Sequence, residues 1–362
     1  MAPIKIGLIG LSAEGSWASS AHLPPLLKSS HYQITALQNS SEASARKAVE
    51  KYNLPGQVAC YGDVESLVRD PNVDIVVVSV KTPEHYRLAK PALEAKKDVF
   101  VEWPLGANLK QAEELTALAK AQGVKNVIGL QARQDPTILK AKEMVAAGKL
   151  GDILGTTMFA YGVIMGPVTP VSLEYELTFA NGATLATIPA MHGTDALCFV
   201  LGEFKHLQAT LANHQPKTPI VDPASGKVLR VVDNDTPDYV SITGTLLSGA
   251  VATIVYQGGQ PSTGKGLFWE IRGTKGTLII EGPNGLVEMF ASTLKFVEQG
   301  GQPEEIEVEV AADWAYNVGK AWDAFASGGS KAVPTFDDAM VRHRMIEAIH
   351  RSNEKGTREA YL

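Results

Sequence analysis

Apolar residues in the first third of the chain fall in short blocks rich in Val and Ile, separated by stretches with a helical repeat. The blocks Lys5–Ile9, Tyr32–Leu37, Asp74–Val80, Asp98–Val101 and Asn126–Leu130 predict buried strands. Between them, Leu23–Lys28, Ser41–Tyr52, Asp63–Val68, Glu84–Ala95 and Leu109–Gln122 predict helices. The last carries Leu109, Ala112, Leu115, Leu118 and Ala119 at helical spacing, and Asn108 stands where an N-cap belongs. Such alternation marks βαβ units around a parallel sheet.

After Gln131 the pattern changes. A helix over Pro136–Ala147 leads into strand-like stretches at Ile153–Tyr161, Leu173–Phe179, His206–Ala212, Tyr239–Leu246, Val251–Tyr256, Phe268–Gly273, Gly276–Glu281 and Thr293–Val297. Two further helices are expected at Gly193–Leu201 and Phe336–Asn353. The expected fold is α/β: an N-terminal Rossmann-type parallel sheet domain over residues 1–131, then a C-terminal α+β domain over 132–362 with a large, mostly antiparallel sheet. The last helix is expected to pack back near the first domain, and a site is expected in the cleft between the two.

Composition narrows the function. A chain of 362 residues with 45% hydrophobic content can fill two cores. The net charge of -6 argues against nucleic acid and anionic membrane surfaces, which need clustered positive charge. No apolar run is long enough to span a bilayer, and MAPIKIGLIG enters a strand directly, so no signal peptide and a cytoplasmic location are expected. Cys60 and Cys198 lack metal-ligand spacing and read as reduced thiols; no metal site is expected.

Chemistry gathers where the predicted strands end. Between the first strand and first helix lies Gly7-Leu8-Ile9-Gly10-Leu11-Ser12-Ala13-Glu14-Gly15-Ser16-Trp17. Small residues there let backbone N–H groups approach a pyrophosphate, so Gly10, Leu11, Ser12, Ser16 and Trp17 are candidate dinucleotide contacts. The spacing is stretched relative to G-x-G-x-x-G. The second strand ends at Asn39 and Ser40, where an NAD-selective site normally places an acid for the ribose 2′-hydroxyl. Their neutrality, with Arg46 nearby, tilts the expectation slightly toward NADP, although Asn39 and Ser40 suit a plain helix cap equally well. Ser79, Val80, Lys81, Pro83 and His85 follow the next strand and are candidates to face the cofactor. His85 suits a local backbone contact at the helix start equally well.

The series GLIG, VVVSVKTPEHY, VFVEWPL, GLQARQDP, AAGKLGDI, GTKGTLIIEGPNG and PTFDDAMVRHRMIEAIHRS resembles the glucose–fructose oxidoreductase/inositol dehydrogenase superfamily over nearly the whole chain. Within it the likeness is greatest to the branch of the yeast galactose-regulon repressor, through Glu102-Trp103 and the stretched loop with Gly15-Ser16-Trp17. The resemblance implies NAD or NADP as cofactor, with Glu102, Trp103 and Gln131 beside it. The enzymes of that superfamily have Glu-Lys-Pro where this chain has Glu102-Trp103-Pro104, and an indole neither takes nor gives a proton at neutral pH. An aspartate often precedes the second-domain histidine by four residues; here His192 fits the histidine, but Ile188 stands at the aspartate's position. Asp195, one turn later, is expected either to orient His192 or to cap the helix.

Two functions follow from the resemblance. One is an NAD(P)-dependent oxidoreductase on a sugar-like or secondary-metabolite hydroxyl or carbonyl, with His192 as acid/base and Lys81 and Asp195 assisting. Tyr161, Tyr175 and Lys265 are weaker alternatives for the proton chemistry. The other is a catalytically silent NAD(P)-binding regulator. The chain goes from Phe296-Val297 through Gly300-Gly301 to Glu304 by a short connection where the repressor has a long insertion. A small-molecule substrate and a homodimer formed through the C-terminal sheet are the expected partners.

Overall fold

In a computed structural model that describes residues 2–328 and 332–362, the alternating blocks form a six-stranded sheet. Its strands are β1 (Ile4–Ile9), β2 (Tyr32–Gln38), β3 (Ala59–Tyr61), β4 (Ile75–Val78), β5 (Asp98–Val101) and β6 (Asn126–Ile128). All pair in parallel, in the order β3-β2-β1-β4-β5-β6. The order reverses between β1 and β4, the switch point beyond which doubly wound sheets hold ligands. Strand β3 has three residues, too few to show as a sequence pattern. Ile6, Leu8, Ile75, Val77 and Phe100 fill the core between sheet and helices.

The chain leaves β1 through the glycine-containing loop, makes one π turn at Ala18–His22, and enters α1 (Leu23–Lys28). Then follow α2 (Glu42–Lys51), α3 (Val64–Arg69), α4 (His85–Glu94) and α5 (Leu109–Gln122). Polar caps set the starts: the Ser66 N–H donates to Asp63 at 2.8 Å and the Gln111 N–H to Asn108 at 3.0 Å. Helix α5 stops at Gly123, which takes a left-handed φ of 66°.

The chain divides into two compact units, Met1–Gln131 with Asp313–Met340, and Ala132–Ala312 with Val341–Leu362. The second unit opens with α6 (Pro136–Ala146). Its strands are β7 (Ile153–Tyr161), β8 (Thr169–Pro170), β9 (Phe204–Ala212), β10 (Lys217–Val221), β11 (Val228–Asp233), β12 (Tyr239–Leu246), β13 (Val251–Gln257), β14 (Leu267–Gly273), β15 (Gly276–Gly282), β16 (Thr293–Glu298) and β17 (Pro303–Ile306), with α7 (Pro189–Leu201) between β8 and β9. Eight of them form one sheet, β17-β16-β15-β14-β7-β13-β12-β9, antiparallel except where β7 meets β13. Strands β11-β10-β8 make a small second sheet. Pro219 hides β10 from the sequence; β8 pairs only with Ile220 and Val221, so the missing N–H falls beyond that ladder.

The predicted strand Leu173–Phe179 is a 3₁₀ segment, Val171–Leu177. Leu173, Tyr175 and Leu177 imitate a period of two, yet Glu176 and Leu177 are adjacent and both buried, which a one-sided strand cannot do.

Residues 313–340 belong with the first unit, whereas the sequence places everything after 131 in one second domain. They carry α8 (Tyr316–Ala326), followed by α9 (Phe336–Lys355), which starts in the first unit and continues in the second. Gly319 hides α8 from the sequence, because mid-helix glycine lowers helix propensity. A Cβ there would lie 3.0 Å from Pro25 Cβ, so glycine lets α8 close on α1. The Tyr32 hydroxyl donates to the Trp322 carbonyl at 2.7 Å, and Phe336 N–H to Asn126 Oδ1 at 2.7 Å.

In the second unit, buried charges fix α7. Arg133 donates to both oxygens of Asp195, at 2.8 and 2.7 Å, and Arg342 Nε lies 3.5 Å from the same carboxylate. Arg342 also pairs with Glu203, which accepts from the Tyr361 hydroxyl at 2.7 Å. Asp195 and Arg342 are fully buried, so neither charge can fall back on water. Replacing Asp195 with Asn is expected to lower stability by about 3–5 kcal/mol, measured by urea unfolding, because Arg133 and Arg342 keep their charges without a counter-charge. A loss below about 1 kcal/mol would show that the network does not depend on that charge.

Candidate functional site

At the carboxyl ends of β1, β2, β4 and β6 the first unit gathers small and polar groups. Gly10 has a φ of 96°, and a Cβ there would lie 2.1 Å from the Ser79 carbonyl oxygen, so β1 and β4 meet only through glycine. Gly15, with φ 95°, has nothing within 4 Å of where a Cβ would stand, which leaves the loop open on that side. Ser12 and Ser16 fold the loop on itself: the Glu14 N–H donates to Ser12 Oγ at 3.1 Å and the Ser19 N–H to Ser16 Oγ at 3.3 Å. Leu11 is buried beneath it, and the Trp17 ring lies 6.5 Å from that of Trp314.

Three buried side-chain atoms on this edge lack a hydrogen-bond partner among the described residues: Gln38 Oε1 at the end of β2, Ser79 Oγ after β4 and Gln131 Oε1 after β6. Leaving such groups unpaired costs about 1–3 kcal/mol each unless a ligand or water meets them. Orphaned acceptors and a hydroxyl, with an open glycine loop at the switch point, fit the hydroxyl- and amide-rich body of a dinucleotide.

Of the other expected contacts, His85 is corrected. His85 is 1% exposed, and its Nδ1 and Nε2 lie 2.7 and 2.9 Å from the Pro104 and Val80 carbonyl oxygens. Burial pushes its pKa down, so it is a neutral ring braced by backbone and offers no nitrogen to a cofactor. Asn39 spends its amide nitrogen on the Leu11 and Ser44 carbonyls, at 2.8 and 3.3 Å. Arg46 pairs with Glu42. Ser40 and Lys81 are exposed, while Val80 and Pro83 are half-buried.

Glu102 follows β5 and precedes Trp103, which is 5% exposed and joined to Pro104 by a cis peptide. The Glu102 carboxylate accepts from His22 Nε2 at 2.5 Å, and His22 Nδ1 accepts from the Trp322 indole N–H at 3.2 Å. A Cβ on Gly129 would stand 2.4 Å from Glu102 Oε2, so glycine there makes room for the carboxylate. The sequence gives little warning of this chain of contacts, since Trp322 lies 300 residues from His22.

In the second unit, His192 lies in the first turns of α7, 5% exposed, with Nδ1 buried and without a hydrogen-bond partner among the described residues. Asp195, expected to orient it or cap the helix, instead binds Arg133 and Arg342. Beside His192, the Tyr256 hydroxyl fills the space over Gly193, where a Cβ would lie 2.1 Å from it, and donates to the Gly285 carbonyl at 3.0 Å. That bond holds the segment from Gly285 to Glu288 near α7, where Glu288, 3% exposed, is within electrostatic reach of both Tyr256 and His192. Burial pushes the Glu288 carboxyl above the usual carboxylate range, and charge on His192 draws it back down. The sequence missed Glu288; its signal is a lone acid inside the apolar run Leu286-Val287-Glu288-Met289-Phe290. Tyr161 is half-buried, Tyr175 hydrogen-bonds Glu176, and Lys265 is exposed. Among the described residues no cluster of His, Cys, Asp and Glu could hold a metal ion, and no helix is long and apolar enough to cross a membrane.

Residues 4–130 match a family model described as an oxidoreductase family with an NAD-binding Rossmann fold, and residues 136–282 match one for the C-terminal domain of Gal80p. The dehydrogenase aclE of Aspergillus oryzae is 36% identical, over 99% of this chain and 98% of its own. The galactose/lactose metabolism regulatory protein GAL80 of Saccharomyces cerevisiae is 29% identical, over 98% of this chain and 94% of its own. The crystal structure of a Gal80p super-repressor mutant from the same yeast superposes with a TM-score of 0.91, covering 99% of this chain and 98% of that one at 28% identity. The chain therefore belongs to the glucose–fructose oxidoreductase/inositol dehydrogenase family, joining an NAD(P)-binding Rossmann domain to a second domain of the Gal80p type.

Proposed function

We propose that the chain is an NAD(P)-dependent oxidoreductase acting on a hydroxyl or carbonyl of a sugar-like or secondary-metabolite substrate, with His192 as acid/base. The observation that carries this reading is the buried, partnerless Nδ1 of His192, in a histidine whose neighbouring aspartate is already consumed by two arginines. The nicotinamide, when bound, supplies hydride transfer. The orphaned Gln38, Ser79 and Gln131 atoms and the open loop at Gly15 hold the cofactor, and Trp103 walls it in without proton chemistry. His192 takes the hydroxyl proton as the alcohol is oxidised and returns one in the reverse direction.

The geometry favours NAD, against the slight tilt to NADP drawn from the uncharged end of β2. The Asn39 donor is spent, Arg46 is neutralised by Glu42, and the N–H groups of Ser41 and Ser44 are bound by each other's hydroxyls. Little is left to hold a 2′-phosphate.

A second reading, a cofactor-binding regulator without turnover, is favoured by Trp103 at the lysine position and by the Gal80p-type second domain. Against it, β16 and β17 form a hairpin linked by residues 299–302, in the region where the repressor carries its insertion. We also propose a homodimer through the open face of the eight-stranded sheet, where Phe159 and Phe268 pair side by side and Val255 and Ile279 lie on the same face.

Incubation with NAD+ or NADP+ and a panel of sugars and polyols, followed by absorbance of the reduced cofactor, is expected to show turnover. His192→Ala is expected to lower kcat by about 10²–10⁴-fold with cofactor affinity intact. Cofactor binding without turnover on any substrate would favour the regulator. Fluorescence titration is expected to show tighter binding of NADH than of NADPH; the reverse order would sink the preference for NAD. Light scattering is expected to give twice the 38.7 kDa chain mass, and a monomer would remove the dimer proposal.

A further inference from the structure

Resting on the oxidoreductase reading, we infer that Glu288 is a positioning residue for proton transfer, set beside His192 by the Tyr256 pin so that its carboxylate supplies the counter-charge when the ring takes up the substrate's proton. The superfamily's lysine is absent at Trp103, and the aspartate position before His192 is Ile188. Asp195 is held by two guanidiniums. Within the second unit, a carboxylate beside His192 therefore has to come from elsewhere in the chain.

The Gly285–Glu288 turn supplies it. Gly285 packs onto the end of β7, where a Cβ would lie 2.3 Å from the Tyr161 carbonyl oxygen, so the turn sits tight against the sheet. Tyr256 Oη donates to the Gly285 carbonyl at 3.0 Å and presses on Gly193, the residue after His192. His192, Glu288 and Tyr256 are all at least nine-tenths buried, which strengthens the interaction of any charge among them.

The other charged groups on the elements packed against α7 are committed elsewhere. Arg133 and Arg342 hold Asp195, Lys142 of α6 donates to the Phe199 carbonyl at 2.6 Å, and Lys140 pairs with Glu143. From β13 comes the Tyr256 hydroxyl, bound to Gly285. Burial, with the nearby Glu203 and Asp195 carboxylates, pushes the Cys198 thiol up to about 12, so it stays protonated. Glu288 is thus the acid whose charge answers His192.

In the oxidation direction the substrate O–H bond breaks and its proton goes to His192. The carbon's hydride leaves with its electron pair to the oxidised nicotinamide, and the carbonyl forms. The imidazolium left behind then faces the Glu288 carboxylate; reduction runs the same path backwards. Because burial raises the Glu288 carboxyl, falling pH protonates it early and removes that support, which places an acid limb on the oxidation profile above the usual carboxylate range.

The test reads the pair with and without activity. With 13C-labelled glutamate, the Glu288 carboxyl signal, assigned by its loss in Glu288→Gln, is expected to titrate about one pH unit higher in His192→Gln than in the parent chain. An unchanged titration overturns the pairing. In turnover, Glu288→Gln is expected to lower kcat by about tenfold and to change the shape of the acid limb, leaving only the part imposed by protonation of the base itself, with NADH affinity unchanged, while Glu288→Asp restores both. A Glu288→Gln variant with the parent kcat and pH profile also overturns it. If no substrate is turned over while the two carboxyl titrations differ, the Glu288–His192 pair stands and the oxidoreductase reading falls.

Discussion

A neutral histidine can donate from only one ring nitrogen, and in the first unit the indole of Trp322 decides which. By donating to His22 Nδ1 it leaves the proton on Nε2, and that proton goes to Glu102. The ring has no exposed surface and is boxed edge-on by Phe100 and Trp322, so it cannot turn to a second arrangement. Glu102 is thereby held at one position directly after β5, and Trp103 and Pro104 follow it. The donor comes from α8, far along the chain, so the cofactor edge of the first unit is complete only with residues 313–340 in place. The same helix is fastened by the Tyr32 hydroxyl on the Trp322 carbonyl and by glycine at its contact with Pro25.

This arrangement changes the meaning of Trp103. In an enzyme with lysine at that position, the residue after the glutamate handles the proton. Here the position is 5% exposed and occupied by a donor-only indole, flanked by a fixed carboxylate and a proline. It can shape and exclude water but cannot titrate. In the proposed reaction, proton handling is therefore assigned to His192 rather than to this position.

Much of the fold was legible because each element carried its own local signal. The strand Asp98–Val101 and the helices Leu23–Lys28 and Leu109–Gln122 stand where period and caps put them. What stayed hidden depends on distant partners. Asp195 sits at the right helical offset to serve His192, but Arg133 and Arg342, from other elements, outcompete a neutral ring for a carboxylate. His85 sits on the cofactor edge in sequence, yet two carbonyls claim its nitrogens. Asn39 and Arg46 suggested room for a phosphate until their own neighbours were seen to occupy them. Residue type and spacing place a group on an edge; only packing says whether its polar atoms remain available.

Availability also separates the two functional readings. Leaving a buried polar atom unpaired costs about 1–3 kcal/mol, a large part of a marginal stability. A regulator that only senses the cofactor gains from the orphaned atoms of Gln38, Ser79 and Gln131, because the dinucleotide satisfies them. It gains nothing from a partnerless nitrogen on His192 set beside a buried carboxylate, since two apolar side chains of similar volume would pack there without either desolvation cost. A buried titratable pair is favoured where a proton has to come and go. The first unit's orphans therefore fit both readings, whereas the second unit's pair supports the proposed one, in which a bond to hydrogen is broken and remade.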